Sequence, residues 1–420
     1  MSINLSVARI IPLLKPIFSK LPPILHVSGT NGKGSTTSYL SHILTESKIR
    51  TGRFNSPHLI TARDSILINN KPVSLKTYED SRSKINQWNS DQVRLNGAEW
   101  SCTEFELLTA VALDCFVTEG CQICVLEVGV GGREDATNIF PPEKVLCVGV
   151  TKVGLDHIGL LGSTLKEITG HKVGIFKKDV IAVVDGTNES VVLERAQSEA
   201  TDVQCEVKFV DRKSLPNLRP NLLGDYQWEN LSVAYNMIKV ICDGYASGSK
   251  KFPNCISQIS FDSIKKGVET TKWPGRLQNT ILNLENGKQL PILLDGAHNP
   301  QSAQQLDSYL NTLPRPIVFI MAFTKGKNIN PILNTILRPG DIVIATEFST
   351  PVEGMPWIEG VTSSEIANAV NEQNKNVKTL QAKSIKEALN DAFNIRGNMN
   401  VVLCGSLYLV GDTLRNYDSW

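Results

Sequence analysis

The sequence of 420 residues has no run of 18 apolar residues, so nothing in it predicts a transmembrane helix. It also has no excess of one charge, because 43 lysine and arginine residues stand against 42 aspartate and glutamate residues. A chain balanced in this way gives no reason to expect nucleic acid or a membrane surface as a partner. No internal repeat and no low-complexity segment is present.

The nine cysteines are scattered along the chain and do not form a disulfide framework. In a long chain, an odd and dispersed set indicates reduced thiols and a cytoplasmic location. Cys121 and Cys124 form a CxxC pair, but there is no second pair at zinc spacing. Cys124 also enters an apolar run, which favours a place in the core.

Acidic residues are missing from the start of the chain, where the first is Glu46. A basic start without acids is typical of mitochondrial presequences, so a mitochondrial location is the alternative to the cytoplasm. Apolar residues at helical spacing favour instead a helix of the domain itself over residues 4–18. We expect that helix to be broken near Pro12 or Pro16.

Short apolar runs alternate with helical patterns over most of the chain. Runs that are apolar throughout predict strands buried on both faces, and the alternation predicts an α/β fold with largely parallel sheets. The predicted strands are Ile24–Ser28, Ile123–Val128, Val145–Val150, Val180–Val184, Ile292–Asp295, Ile317–Met321, Ile342–Thr346 and Val401–Cys404. Helices are predicted between them, for example over Ser35–Ser47 and Glu104–Phe116.

The length predicts two domains. Pro274-Gly275 and the polar stretch 283–289 interrupt the pattern before a new series of strands and helices begins. We therefore expect a first domain over residues 1–275, a linker at about 274–290 and a second domain over residues 285–420.

Residues 24–36 read ILHVSGTNGKGST, a hydrophobic strand that enters a glycine-rich turn and then a helix. Glycines let backbone N–H groups approach a polyphosphate, and a helix N-terminus favours an anion. Lys33 is placed to reach the β- and γ-phosphates, and Ser35 to approach a metal ion. Because Gly34 separates them, the strict Walker pattern is not met. The alternative is a glycine-rich turn without a ligand.

Residues 125–138 read VLEVGVGGREDATN, in which Glu127 falls at the end of an otherwise apolar strand. A buried carboxylate must be paired or bound to a metal, and strand ends are where α/β sheets bind ligands. The alternative is a solvent-facing glutamate on an edge strand. Asp156-His157 follows a neighbouring strand, and the residues alone leave His157 open between a metal ligand and a hydrogen-bond donor. Spacing alone predicts that Lys172 is a surface lysine.

Together these segments resemble the folylpolyglutamate synthase and dihydrofolate synthase family, a branch of the Mur ligases. GTNGKGS, LEVGVGGREDATN, LDHIGLLG, WPGRL at 273–277 and LLDGAHNP at 293–300 carry the resemblance in order. CTEFELLT, VEGMPWI at 352–358 and CGSLYLVG are most similar to the fungal dihydrofolate synthase branch. The resemblance implies a P-loop ATPase-like first domain and a smaller Rossmann-like second domain.

The resemblance also implies an ATP site and a Mg²⁺ site. The residues implied for ATP are Asn31, Gly32, Lys33, Gly34, Ser35, Asn230 on the adenine side, Arg276 and Asp295. The residues implied for Mg²⁺ are Ser56, Glu127 and His157. Lys172 matches a lysine that is carbamylated in this group, so the implied catalytic residues are Lys33, Glu127, His157 and Lys172.

On the substrate side, His298 and Ser406 match positions implicated in glutamate binding. The residues implied for the folate-type substrate are Thr103, Glu104, Phe105, Glu106, Glu134, Asp135 and Ala136. The family pattern has leucine at the position of Glu134, and EKAGI where this chain has His171-Lys172-Val173. The loop after SPHL commonly carries Glu-Arg, but here it reads Arg63-Asp64-Ser65.

The implied function is an ATP-dependent ligase that joins L-glutamate to a folate-type carboxylate through an acyl phosphate. Its expected partners are ATP, L-glutamate and a folate or pteroate acceptor, with the protein acting as a monomer. The residues leave open whether dihydropteroate or a glutamylated folate is the acceptor. Two alternatives remain: a catalytically weak paralogue that binds nucleotide or folate, and a Mur-type ligase with another acceptor.

Overall fold

The computed structural model describes residues 6–352, 355, 357–373 and 376–417. Residues 4 and 5 of the expected N-terminal helix lie outside this set, as do Glu353, Gly354 and Pro356 of the VEGMPWI segment. The chain forms two compact units, which are described separately below. The first comprises Met1–His58, Ala62–Asn221 and Gln227–Lys272, and the second comprises Leu59–Thr61, Leu222–Tyr226 and Trp273–Trp420.

The first unit is built on an eight-stranded sheet in the order β4-β3-β2-β5-β1-β6-β7-β8. Its strands are β1 Ile24–Ser28, β2 Thr51–Phe54, β3 Ile66–Ile68, β4 Lys71–Pro72, β5 Ile123–Glu127, β6 Val145–Val150, β7 Ala182–Asp185 and β8 Val207–Val210. All neighbours pair in parallel except β2 with β3 and β3 with β4. Every residue of β1, β5 and β6 is buried, because helices cover both faces of the centre of the sheet.

Eight helices connect and cover these strands in the described part of the first unit. They are α1 Ile10–Leu14, α2 Lys33–Glu46, α3 Leu75–Asn96, α4 Glu104–Thr118, α5 Leu165–Lys172, α6 Ser190–Val203, α7 Gln227–Ala246 and α8 Phe261–Thr270. α2 packs against both α7 and α8. At Gly267 of α8 an added Cβ would lie 2.5 Å from the Cα of Ile43, so this glycine permits the close approach of the two helices.

The second unit contains a six-stranded sheet in the order β13-β12-β11-β14-β10-β9. Its strands are β9 Gln278–Asn283, β10 Gln289–Leu294, β11 Ile317–Met321, β12 Ile342–Ala345, β13 Lys378–Gln381 and β14 Asn400–Cys404. Only β9 pairs in antiparallel fashion, with β10. The helices of this unit are α9 Pro300–Leu310, α10 Asn330–Ile336, α11 Ser363–Gln373, α12 Ile385–Ile395 and α13 Leu407–Tyr417.

The predicted α/β class with mostly parallel sheets is confirmed. The predicted strands at β1, β6 and β11 match the structure residue for residue. The helix expected over residues 4–18 is shorter, because α1 ends at Leu14, two residues before Pro16, which has no N–H to donate. The segment expected as a linker contains β9 and the start of β10. β9 is an edge strand in which only Leu282 is buried, so it lacks the continuous apolar run by which the other strands were predicted.

No helix in the described residues combines the length and the apolar character needed to cross a membrane.

Candidate active site

The phosphate loop joins β1 to α2. Gly32 precedes the helix with a φ of 93°, a left-handed conformation that glycine adopts without steric cost. A Cβ at this position would lie 2.0 Å from Oδ1 of Asn230, so the site admits only glycine. The N–H groups of Thr30 and Asn31 donate to the carbonyl of Lys152 at 2.8 and 3.1 Å. The loop is thus held in place while the first turn of α2 offers backbone N–H groups to an anion.

Lys33 begins α2 and Glu127 ends β5, and their charged groups face each other. Lys33 Nζ lies 3.7 Å from Glu127 Oε1 and donates to the carbonyl of Thr30 at 3.2 Å. Glu127 is 5% exposed, and its Oε2 accepts a hydrogen bond of 2.6 Å from Asn55 Nδ2. The alternative of a solvent-facing edge glutamate is wrong, because β5 lies inside the sheet between β2 and β1.

The amine of Lys172, at the end of α5, lies inside the protein. Its Nζ donates to the carbonyl of Gly29 at 2.8 Å. Burial, together with the charge of Lys33 and against the opposite effect of nearby carboxylates, lowers the pKa of Lys172 from 10.5 to about 7. The surface lysine predicted from spacing is therefore wrong. Helical spacing cannot report that the phosphate loop, distant in sequence, lies against the end of α5.

Asn230 lies in the first turn of α7 and contacts the phosphate loop through its neighbour Gln227. Asn230 Nδ2 donates to Gln227 Oε1 at 3.0 Å, and Gln227 Nε2 donates to Ser35 Oγ at 3.2 Å. The carbonyl of Asn230 accepts a hydrogen bond of 3.3 Å from the Thr36 hydroxyl. All these side chains are buried, so α7 fixes the first turn of α2.

The three residues expected at the metal follow different strands. Ser56 follows β2, which neighbours β5 with Phe54 opposite Leu126, so Ser56 and Glu127 leave the sheet at adjacent strand ends. His157 lies in the loop after β6, with a side chain that is 43% exposed and a φ of 52°. Among the described residues, no group of three or more histidine, cysteine, aspartate and glutamate side chains is placed to hold a metal ion.

Four residues expected to contact the folate-type substrate open α4. Thr103 and Glu106 form a capping box, with Thr103 N donating to Glu106 Oε2 at 2.7 Å and Glu106 N donating to Thr103 Oγ1 at 3.3 Å. Glu106 is buried and also pairs with Arg9 at 3.1 Å. Glu104 pairs with Arg82 at 2.9 Å. These contacts give Thr103 and Glu106 a structural role at the start of the helix.

Phe105 differs from its neighbours because it lies at the carboxyl edge of the sheet. Its ring centroid is 6.0 Å from that of Phe54, and the pair is tilted by 35°. A Cβ at Gly129 would lie 2.4 Å from the Phe105 ring, so the glycine loop after Glu127 passes directly over it. Phe105 is partly exposed and offers an aromatic surface beside that loop.

The loop after β5 is fixed by the buried carboxylate of Asp135. Its oxygens accept hydrogen bonds from Val130 N at 2.9 Å, Thr137 N at 3.0 Å and Thr137 Oγ1 at 2.6 Å. Burial raises the pKa of Asp135, while these bonds lower it. Thr137 Oγ1 also lies 2.8 Å from Nε2 of His26, whose pKa burial lowers to about 3. Ala136 is buried in the same loop.

Two of the departures from the family pattern contact each other. Glu134 Oε2 lies 3.3 Å from His171 Nδ1, and both side chains are partly exposed. The pair joins the loop after β5 to the end of α5, beside Lys172.

In the second unit, Asp295 follows β10 and is buried. Its Oδ2 accepts from Leu277 N and its Oδ1 accepts from Ala297 N, both at 2.8 Å. Burial raises the pKa of Asp295, and the charge of Arg276 lowers it. The carboxylate thus holds the backbone of the WPGRL and DGAHN segments together.

His298 and Ser406 also follow strands of the second sheet. Nδ1 of His298 donates to the carbonyl of Gly296 at 2.7 Å, which leaves Nε2 as the acceptor of the ring. Ser406 follows β14, is buried, and accepts a hydrogen bond of 3.1 Å from Tyr408 N. β10 and β14 are neighbours, so Asp295 and Ser406 emerge from adjacent strand ends.

The sequence-based interpretation missed Asn55 and Gln227. Both are polar, buried and hydrogen-bonded to expected site residues. Asn55 directly precedes Ser56, so the NSPHL motif held a signal. Gln227 lies three residues before Asn230, which is one helical turn.

Known proteins resemble this chain in sequence and in fold. A model of the dihydrofolate synthetase C-terminal domain matches residues 278–416. The chain is 37% identical to dihydrofolate synthetase of Saccharomyces cerevisiae over 100% of this chain and 99% of that protein. It is 29% identical to a probable folylpolyglutamate synthase of the same yeast over 93% of this chain and 92% of that protein. The fold is similar to folylpolyglutamate synthase of Mycobacterium tuberculosis in complexes with ADP and AMPPCP, with a TM-score of 0.81, 23% identity and coverage of 98% and 95%.

A phosphate loop on the first α/β unit, a second α/β unit and these relatives define an ATP-dependent ligase. The chain belongs to the dihydrofolate synthetase and folylpolyglutamate synthase family. The function expected from the sequence, ATP-dependent ligation of glutamate to a folate-type carboxylate, is confirmed at the level of this family.

The buried amine of Lys172 generates a prediction about stability and pH. Between pH 7 and 10.5 the unfolded chain keeps a proton on this amine that the folded chain has released, so this group makes the free energy of unfolding rise with pH. Its contribution approaches about 1.4 kcal/mol per pH unit, and the slope of Lys172→Met should be lower than the native slope by up to that amount. Denaturant titrations in CO2-free buffer at about pH 7.5 and about pH 9.5 measure it.

Lys166→Met is the matched control, because Lys166 is an exposed lysine on the same helix. This variant should keep the native slope. A native slope in Lys172→Met would show that the amine is not the buried, neutral group described above.

Proposed function

We propose that this enzyme attaches the first glutamate to dihydropteroate, which is the dihydrofolate synthase reaction. The observation that carries the proposal is the full-length identity to a dihydrofolate synthetase, which exceeds the identity to folylpolyglutamate synthases. A probable dihydrofolate synthetase of Schizosaccharomyces pombe supports it, with 35% identity over 99% of this chain and 99% of that protein. The C-terminal family match points the same way.

The chemical problem is that a carboxylate does not react with an amine in water, because its oxygen is a poor leaving group. Transfer of the γ-phosphoryl group of ATP to the carboxylate forms an acyl phosphate and ADP. The amine of glutamate then attacks the acyl carbon. The tetrahedral intermediate collapses to the amide, and inorganic phosphate leaves with the former carboxylate oxygen. The protein has to position these groups and stabilise charge.

The phosphate loop supplies most of that stabilisation. Asn31, Gly32, Gly34 and Ser35 surround the first turn of α2, where backbone N–H groups bind phosphate oxygens. Lys33 Nζ lies at the carboxyl edge of the sheet, where it neutralises charge on the group in transfer. Asn230 binds the adenine side of ATP, next to the loop.

The residues at the strand ends fit a magnesium site. Mg²⁺ is held in proteins by one or two carboxylates together with substrate phosphates and water, rather than by a cage of side chains. Glu127 is one buried carboxylate, and the Ser56 hydroxyl follows the adjacent strand. With His157 these residues hold the ion. When bound, it neutralises phosphate charge during transfer.

Lys172 is suited to carbamylation. A neutral amine reacts with CO2, and the pKa of Lys172 is lowered to about 7, so much of the amine is neutral at physiological pH. The carbamate places a negative charge near Lys33. It thereby adds an oxygen ligand near the phosphate loop for a second cation.

The second unit is proposed to bind glutamate through His298 and Ser406, and ATP through Arg276 and Asp295. Nε2 is the acceptor of a neutral His298 ring and is suited to the ammonium group of an amino acid. On the first unit, Phe105 offers a surface on which a flat pterin ring can stack. The residues Thr103, Glu104, Glu106, Glu134, Asp135 and Ala136 form the rest of the proposed folate-side contacts.

We also propose that the enzyme acts as a monomer in the cytoplasm. All nine cysteines are free thiols, and seven of them are buried. Free thiols in this number suit a reducing compartment.

The acceptor decides between the two activities of the family. Full-length enzyme incubated with ATP, glutamate and dihydropteroate should yield dihydrofolate, seen by mass as the addition of one glutamate. Tetrahydrofolate as the acceptor should react at least about ten-fold more slowly, a difference of about 1.4 kcal/mol in transition-state binding. Lys33→Met is the control and should lower glutamate-dependent ADP release by about 100-fold or more.

Three results would contradict the proposal in different ways. Faster reaction of tetrahydrofolate assigns folylpolyglutamate synthase activity instead. Turnover with a UDP-muramoyl acid assigns a Mur-type acceptor. No turnover with any acceptor favours a nucleotide- or folate-binding paralogue.

Carbamylation of Lys172 predicts that activity depends on dissolved CO2. Enzyme freed of CO2 should lose most of its activity and regain it when bicarbonate is added, because the carbamate forms reversibly on the neutral amine. Initial rates of ADP release with and without bicarbonate measure the effect. Lys172→Arg has no neutral amine at this pH and should be slow and unaffected by bicarbonate. A native rate that ignores bicarbonate throughout would rule out the carbamate.

A further inference from the structure

Asn55 lies between β2 and Ser56 and contacts two parts of the site at once. It is 4% exposed. Its Nδ2 donates to Glu127 Oε2 at 2.6 Å and to Thr37 Oγ1 at 2.7 Å. The Thr37 hydroxyl in turn donates to the carbonyl of Gly34 at 2.9 Å. One amide group therefore connects the first turn of α2 with the carboxylate at the end of β5.

The chemistry of the partners fixes the orientation of this amide. An ionised carboxylate only accepts hydrogen bonds, so Glu127 must face the nitrogen. Thr37 has given its single proton to the Gly34 carbonyl, so it also must accept. Both N–H groups of Asn55 are thus used, and the amide oxygen is turned away from Glu127 and Thr37.

That amide oxygen is buried and has no hydrogen-bond partner among the described residues. Buried carbonyl oxygens are almost always hydrogen-bonded, and an exception at a functional site indicates a partner that binds from outside the chain. The nitrogen of the same amide holds Glu127, the carboxylate of the proposed magnesium site. A hydrated divalent cation carries water molecules whose protons are strong hydrogen-bond donors.

We propose that Asn55 is a positioning residue of the magnesium site. One of its N–H groups holds Glu127 Oε2, which leaves Oε1 on the side of Lys33. Its amide oxygen accepts a hydrogen bond from a water molecule of the bound cation. Residues that orient metal ligands through such bonds commonly change metal affinity by 10- to 100-fold when they are replaced. The inference rests on the magnesium site of the proposed function.

The test measures the affinity of full-length protein for Mn²⁺ in the presence of ADP. The concentration of free Mn²⁺ is read from its electron paramagnetic resonance signal. Asn55→Leu removes the amide at similar size and should weaken Mn²⁺ binding by at least about ten-fold. Asn55→Gln keeps both the N–H donors and the amide oxygen on a side chain one methylene longer and should recover part of that loss. Equal affinities in the two variants would overturn the role of the amide.

Asn70→Ala separates this role from general stability. Asn70 also bonds to α2, through the Ser41 carbonyl at 3.3 Å and the Thr45 hydroxyl at 3.1 Å. Its replacement should lower the melting temperature and leave the Mn²⁺ affinity unchanged. If Asn55→Leu does not fold, Thr37→Val breaks the other end of the bridge and should still weaken Mn²⁺ binding. Unchanged affinity in that variant, or an equal loss in Asn70→Ala, contradicts the inference.

The Mn²⁺ experiment distinguishes a wrong role for Asn55 from a wrong assignment of the magnesium site itself. If native protein with ADP binds no Mn²⁺, the proposed metal site is wrong and the inference falls with it. If native protein binds Mn²⁺ and Asn55→Leu binds it equally well, only the role of Asn55 is wrong.

Discussion

Glu127 is buried and Lys33 is partly buried at the carboxyl edge of the first sheet, with 3.7 Å between Oε1 and Nζ. Removing a charge from water costs free energy unless the charge has a partner. The surrounding residues must therefore provide a partner for each of the two groups. Asn55 donates to the carboxylate, and the Thr30 carbonyl accepts from the amine. The phosphate loop and the ends of β2 and β5 are therefore fixed relative to each other before any ligand binds.

The same free-energy cost of burying a charge applies to the amine of Lys172. Burial, and after it repulsion by the charge of Lys33, lowers the pKa of Lys172. A site that holds excess positive charge, backbone N–H groups and a single carboxylate is suited to a polyphosphate with its metal ion. In the second unit, Asp295 is satisfied by backbone N–H groups of two motifs, which is an organising role that its place in DGAHN alone does not reveal.

The sequence predicted those parts of the fold that depend on local pattern. β6 and β11 are continuous apolar runs and β1 is apolar except at His26 and Ser28, as expected for strands buried on both faces. β9 was missed because an edge strand with polar residues on one face is similar to a loop. The contact between Glu134 and His171 and the burial of Lys172 depend on loops that meet only after folding. The spacing of residues along the sequence does not predict such contacts. It does not predict the hydrogen bonds that Asn55 makes to Glu127 and Thr37 either.

The central claim is that the folded site activates a carboxylate as an acyl phosphate. The most direct measurement uses dihydropteroate with ¹⁸O in its carboxylate, together with ATP and glutamate, and reads the mass of the released phosphate. The account predicts that each phosphate carries one ¹⁸O from the carboxylate, because the amide forms by expulsion of that oxygen with the phosphoryl group. Phosphate without ¹⁸O, released together with the amide product, would contradict it.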